Sequence, residues 1–186
     1  MPVGIISAYH RGAPADYISM SLAMLGLSIP NFVLAIFLIL FLSVGIDWLP
    51  TSGWRAPWEE PGQSWRYLIM PVIALAVTRT ALLARLLRSS ILEVLNKDFV
   101  RTAQAKGLSR TVVMLRHVLR NGLLPMITAT AISFAYLLGG QIVIEQIFAL
   151  PGVGNLLLTA VTARDFPVIQ GATLFIAMVF IISNLI

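Results

Sequence analysis

The sequence has no cysteine and only two histidines. Disulfide scaffolds, thiolate metal sites and cysteine nucleophiles are excluded, and a histidine-rich metal centre has nothing to draw on. Charge is equally scarce. Asp, Glu, Lys and Arg make up 11% of the residues, against about 25% in a typical soluble domain. At 58% hydrophobic residues and a mean hydropathy of +0.88, a chain of 186 residues could fill a core but could not coat it with charge. That excludes an ordinary cytosolic enzyme and a disordered tail, and it makes lipid part of the solvent. There is no Ser-His-Asp spacing, no glycine-rich phosphate loop ending in Gly-Lys, and no pair of carboxylates within an apolar stretch. No catalytic residue, metal ligand or cofactor is expected, and nucleotide chemistry would have to come from another polypeptide.

What is present is a set of charge-free stretches: Tyr17–Ile46, Tyr67–Thr78 with its apolar pattern continuing to Leu87, Asn121–Ile144 and Phe166–Ile186. A membrane helix needs roughly 20 apolar residues to cross a hydrocarbon core about 30 Å thick. Lipid offers the backbone no hydrogen-bond partners, so each stretch must be helical. The expectation is an all-α, polytopic membrane protein with spans at about 17–46, 67–87, 122–144 and 166–186. The apolar run Met1–Ala8 is too short to span and lacks a basic start, so it does not read as a signal peptide. It reads as the tail of an earlier helix, and the last span also ends in mid-stretch. The chain is expected to be a piece of a longer protein, cut inside a membrane span at each end.

The net charge of +5 could suggest nucleic acid, but its placement does not. Nine basic residues lie between Arg79 and Arg120 and Arg11 lies near the start, whereas the 47–66 and 145–165 loops hold only Arg55, Arg66 and Arg164. Four alternating spans fit this split, and the Arg79–Arg120 side is cytoplasmic by the positive-inside rule. No aromatic residues interleave the basic run to stack on bases, so no nucleic acid is expected. The opposite loop holds all four tryptophans, Trp48, Trp54, Trp58 and Trp65, as an outer aromatic belt would.

The cytoplasmic segment, about residues 96–121, carries the helix punctuation. Asp98 suits an N-cap and Gly107 a C′ residue, with Lys106 in the last turn to meet the dipole. This frames a short helix, Phe99–Lys106. Ser109 can cap a second helix running to about Arg120, with Val112, Leu115 and Leu119 on its apolar side and Val118 beside them. Thr102, Ala103 and Ala105 would let a partner surface come close. A helix-turn-helix between two spans is suited to docking a partner and passing its motion on.

Here the sequence resembles a known family. Arg101-Thr102-Ala103-Gln104-Ala105-Lys106-Gly107-Leu108, followed by His117-Val118-Leu119-Arg120-Asn121-Gly122-Leu123-Leu124-Pro125, looks like the coupling-helix signature of binding-protein-dependent ABC importer permeases. The branch is the one for dipeptides, oligopeptides, nickel and glutathione. Gly26-Leu27-Ser28-Ile29-Pro30, Trp48-Leu49-Pro50-Thr51-Ser52-Gly53, Pro151-Gly152-Val153-Gly154 and Asp165–Gly171 agree with it, and the likeness covers essentially the whole chain. One departure is Arg101, which stands where the wider superfamily has an acidic residue, so that residue's role is not carried over.

The resemblance implies a MetI-like importer-permease transmembrane domain, truncated at both ends, from a six-span subunit of a prokaryotic inner membrane. It implies a second permease subunit, favouring a paralogue, two ATP-binding subunits that hydrolyse ATP, and an extracytoplasmic substrate-binding protein. The ATPase-coupling residues would be Arg101, Thr102, Ala103, Ala105, Lys106, Gly107 and Leu108. The alternative is a secondary transporter or channel without ATPases, which should show ionisable residues in its spans or inverted repeats; only Arg79 qualifies. A membrane anchor without a pathway should have unbroken apolar helices, against Pro30 and Gly139-Gly140.

Other residues are weighed singly. Arg79 either lines an inner vestibule or snorkels to the interface; Arg85 and Arg88 snorkel or sit in the cytosol. Pro30 should kink the first span, where Ser28 and Asn31 either line a pathway or satisfy freed carbonyls. Gly139 and Gly140 favour close helix packing. Glu145 reads as an interfacial carboxylate bonded to nearby backbone. Pro71 and Pro125 are expected near helix starts.

Overall fold

The computed structural model describes residues 13–60, 62–139 and 141–185, without the side chains of 15, 110, 138 and 184. Among these residues all regular structure is helical. The helices are α1 Pro14–Ser28, α2 Asn31–Leu38 running into a π-helix π1 Ile39–Gly45, and α3 Ser64–Leu95. Then follow α4 Asp98–Ala105, α5 Arg110–Val112 running through π2 Val113–Leu119 into α6 Arg120–Gly122, and α7 Leu124–Leu138. The last are α8 Ile142–Ile147, α9 Val153–Ala163 and α10 Phe166–Leu185. By length and composition, Ser64–Leu95 and Phe166–Ser183 could each cross a membrane, and two bent pairs, Asp16–Ser28 with Asn31–Gly45 and Val113–Gly122 with Leu124–Leu137, could each make a further broken span.

The helix α3 has 32 residues, about 48 Å at roughly 1.5 Å per residue. That exceeds a hydrocarbon core of about 30 Å, so the helix must protrude, and its polar end is the one bearing Arg85, Arg88 and Glu93. Because α3 starts at Ser64, Pro71 lies inside it rather than near its start; a membrane helix tolerates the one lost backbone bond. Pro125, by contrast, is the second residue of α7.

The described residues form two compact units, one holding those up to Ser28 with Arg79–Thr130, the other those within 29–78 and 131–185. The core of the first is Leu87 and Ile91 of α3, Val100 and Ala103 of α4, Val113, Met114 and Val118 of π2, and Met126 of α7. Here the expected apolar face is corrected. Val112 is 40% exposed and Leu115 59% exposed, while Val113, Met114 and Val118 are buried. The cause is the π-helix, whose i→i+5 bonding widens the turn and aligns Val113 with Val118 in place of a 3.6-residue stripe.

The second unit packs Ala35, Leu49, Met70, Ala74, Ile144 and Phe148 into its own core. Gly53 N–H donates to the Phe148 carbonyl at 2.8 Å, pinning the tryptophan-bearing loop to the end of α8. The Trp48 carbonyl accepts a hydrogen bond from Arg66.

Glu145 organises the turn between α8 and α9. Its Oε2 accepts from Asn155 N–H at 2.7 Å and its Oε1 from Gln141 N–H at 3.2 Å. Asn155 lies in the first turn of α9, which has Gly152 at its N-cap with no side-chain cap of its own. The carboxylate therefore satisfies an otherwise unpaired N–H at the positive end of α9. It fits because residue 152 has no side chain: a Cβ there would lie 2.1 Å from Glu145 Cδ and 2.4 Å from both carboxylate oxygens. Glu145→Ala and Gly152→Ala should each cost about 1–3 kcal/mol by removing or displacing the same cap. The double variant should cost little more than the worse single one, because the two act through one interaction. Thermal unfolding in detergent checks this, and additive losses would contradict it.

Candidate functional site

The 96–121 segment is built on the end of α3. After Leu95 only Asn96 and Lys97 separate α3 from α4. Lys97 takes the extended conformation (φ −74°, ψ 147°) and the N-cap position, with no side-chain cap. The expected cap at Asp98 thus moves by one residue, because a two-residue link leaves the extended step to Lys97. Asp98 instead starts the helix, where its charge suits the dipole, and it lies 3.9 Å from Arg101.

The far end of α4 closes in the expected way. Gly107 has φ +79°, a left-handed conformation that favours glycine. Its N–H donates to the Gln104 carbonyl at 2.9 Å and Leu108 N–H to the Ala103 carbonyl at 3.4 Å. These are the paired bonds of a Schellman cap. A Cβ at residue 107 would meet nothing within 4 Å, so the demand for glycine comes from the backbone alone. The next helix begins at Arg110, leaving Ser109 at its cap position.

One face of α4 is committed inward. Val100 is fully buried and Ala103 is 6% exposed, both in the cluster with Leu87 and Ile91. Arg101, Thr102, Ala105, Lys106, Gly107 and Leu108 are exposed, as are Phe99 and Gln104. Of the seven coupling residues named from sequence, Ala103 therefore holds the helix to its support and the other six face outward. The sequence reading gave Phe99 no role, yet it is exposed on α4; a large apolar residue in a helix otherwise rich in small ones was the available signal. Val112 and Leu115, expected on an apolar side, are exposed as well.

The sequence reading also passed over a partly buried ion pair. Asp16, near the start of α1, is 3% exposed. Arg88 of α3 donates to it through both Nε and Nη2, at 2.8 Å each. Arg88 therefore does not simply snorkel. Its hydrogen bonds to Asp16 raise its pKa above the ordinary guanidinium value, with burial pulling the other way. The signal was Asp16 itself, the only acid in the first 46 residues.

The remaining candidates lie outside the 96–121 segment in sequence. Ser28 Oγ donates back to the Met24 carbonyl at 2.9 Å. Pro30 (φ −58°, ψ 141°) is the N-cap of α2, so the first apolar stretch is broken there rather than kinked through: its ring lies outside both helices. Asn31 Oδ1 accepts from Thr78 Oγ1 at 2.5 Å. Arg79 is half-buried on α3. Gly139 follows α7, and a Cβ on it would lie 3.4 Å from Ile176 Cγ2 of α10; Gly140 lies outside the described residues.

Comparison with known proteins bears on this arrangement. The sequence matches the family described as "Binding-protein-dependent transport system inner membrane component" over residues 1–186. It is 43% identical over 185 residues to a Brucella suis protein provisionally named a peptide transport system permease, covering 99% of this chain and 59% of that protein. It is 43% identical over 186 residues to the glutathione transport system permease protein GsiC of Shigella flexneri, covering 100% of this chain and 58% of that protein. The Escherichia coli K12 protein of the same name is 42% identical, with the same coverage. The chain thus spans less than three fifths of the length of these curated relatives. An all-helical membrane chain with this match along its whole length belongs to the family of binding-protein-dependent transport system inner membrane components.

Proposed function

We propose that the chain forms part of the transmembrane subunit of an ATP-driven importer in a prokaryotic inner membrane. Its substrates are peptides or a related small solute such as glutathione or a nickel complex, a class supported by the names of its relatives. Two ATP-binding subunits dock on the cytoplasmic side, a second permease subunit, a paralogue, completes the pathway, and an extracytoplasmic binding protein delivers substrate. The membrane-crossing segments are about 17–46 as the broken pair α1–α2, 67–87 within α3, 122–144 and 166–186, with 96–121 in the cytosol.

The observation that carries this reading is the division of α4 into two faces. Val100 and Ala103 fix it to α3 and π2, while Arg101, Thr102, Ala105, Lys106, Gly107 and Leu108 are free to meet a partner. A short helix gripped on one side and open on the other transmits a push without folding away from it. ATP-driven closure of the ATPase pair displaces α4, and the attached helices reorient so that the pathway faces alternate sides. This requires different contacts in the two states, since a ligand shifts an equilibrium only by its differential affinity.

Arg79 is assigned to the inner vestibule of the pathway, because an intramembrane charge needs a wet or paired environment. The bonds of Ser28 and Asn31 at the Pro30 break support their role in satisfying polar groups there. The closeness of Gly139 to Ile176 supports helix packing.

Gly107→Asp tests the docking. Aspartate tolerates the left-handed conformation better than most residues, and nothing crowds the site, so the cap should survive while a charge enters the docking face. The ATPase subunits should no longer co-purify, and substrate-stimulated hydrolysis should fall by about tenfold or more, the effect of roughly 1.4 kcal/mol or more in binding. Intact co-purification with intact coupled hydrolysis would contradict the proposal. Arg79→Leu should abolish uptake of a labelled dipeptide or glutathione while the complex assembles normally; unchanged uptake would remove Arg79 from the vestibule.

A further inference from the structure

The helix α1 is poorly held by apolar packing. Tyr17, Ile18, Leu22, Met24 and Leu25 are all more than half exposed, and its buried positions are Asp16, Ala23 and Gly26. These lie on one narrow stripe, i, i+7 and i+10, and two of the three are small. The ion pair at the head of the stripe is a directional contact. It joins α1 to α3 at Arg88, between Leu87 and Ile91, the two fully buried residues that α4 packs upon. Support for α4 and anchorage for α1 therefore share one turn of α3. Both belong to the same compact unit, which the chain leaves at Ser28, one residue before the Ile29–Pro30 break.

We propose that Asp16 and Arg88 are positioning residues that carry the displacement of the coupling helix into α1. This rests on the importer reading given above and names the contact through which its motor reaches that helix. The chemistry suits the task. A bidentate guanidinium–carboxylate pair fixes both distance and orientation, whereas a stripe of small apolar residues can slide. Burial sharpens the demand, because an ion pair of this kind adds little net stability over apolar packing but strongly penalises separation of its partners. Topology does not explain it: a positive-inside signal needs an exposed arginine and has no use for a buried aspartate. With the pair closed, α1 and the end of α3 move together, and the break after Ser28 frees α1 from the helix that follows it.

Hydrogen–deuterium exchange on the full-length permease, assembled with its partner subunits in nanodiscs, tests this. Without nucleotide, Asp16→Asn and Arg88→Gln should each speed exchange over residues 17–28 by about tenfold or more. The charge swap Asp16→Arg with Arg88→Asp should restore most of the protection. With ATP and vanadate, wild type should change its exchange at both 99–106 and 17–28. The single variants should keep the response at 99–106 and lose it at 17–28, and the swap should recover it. A purely structural contact would not move that second response. If Arg88→Gln does not assemble, Arg88→Lys keeps the charge without the fork and should give the same loss in weaker form.

A single variant that keeps the nucleotide response at 17–28 overturns the proposal. So does a wild type that responds at 99–106 but not at 17–28, which leaves the importer reading standing. A wild type silent at both segments overturns the importer reading, and the transmission role with it.

Discussion

Leu87 and Ile91 are fully buried although they lie in the most basic stretch of the chain. Around them gather Val100 and Ala103 from α4, Val113, Met114 and Val118 from π2, and Met126 from α7. This apolar contact fixes the 96–121 segment. Without it α4 would have eight residues, too few to stay helical alone in water, and its caps would close on nothing. Tertiary burial supplies what local propensity cannot, and the exposed face of α4 exists because the other face is spent on α3.

The two units solve different problems with similar devices. In the first, a buried carboxylate at residue 16 meets an arginine from a distant helix. In the second, the Glu145 carboxylate meets backbone N–H groups and is admitted by the bare backbone of Gly152. Asp16 is buried and Glu145 partly so, and both have carboxylate oxygens satisfied by hydrogen bonds, as burial of charge demands. Neither acid forms part of a metal-binding group among the described residues.

Much of this was legible in the sequence, for reasons that can be named. Charge-free stretches longer than the bilayer requires forced helices. Gly107 after Lys106 forecast the left-handed cap, and Pro30 forecast an interruption. An acid within a few residues of a helix end, Glu145, pointed to a carboxylate bonded to backbone. Boundaries shifted where a short link decided them, as at Lys97 and Asp98. On the expected apolar face Val118 and Leu119 do pack into the core, but Val112 and Leu115 do not, because a π-helix is not encoded in a 3.6-residue pattern. The Asp16–Arg88 pair joins residues 72 apart, and no local spacing could have revealed it. Ala103 was named for its small size, which turned out to serve packing inward.

The central claim is that the outward face of α4 meets an ATPase subunit while Val100 and Ala103 hold the helix from behind. This chain has no cysteine, so an introduced one is unique within it. A bifunctional thiol-to-amine cross-linker applied to Gln104→Cys and, separately, Val100→Cys in the assembled transporter tests the claim most directly. The account predicts a cross-link to an ATP-binding subunit from position 104 and none from position 100. No cross-link from position 104 in an intact complex, or equal cross-linking from both positions, would contradict it.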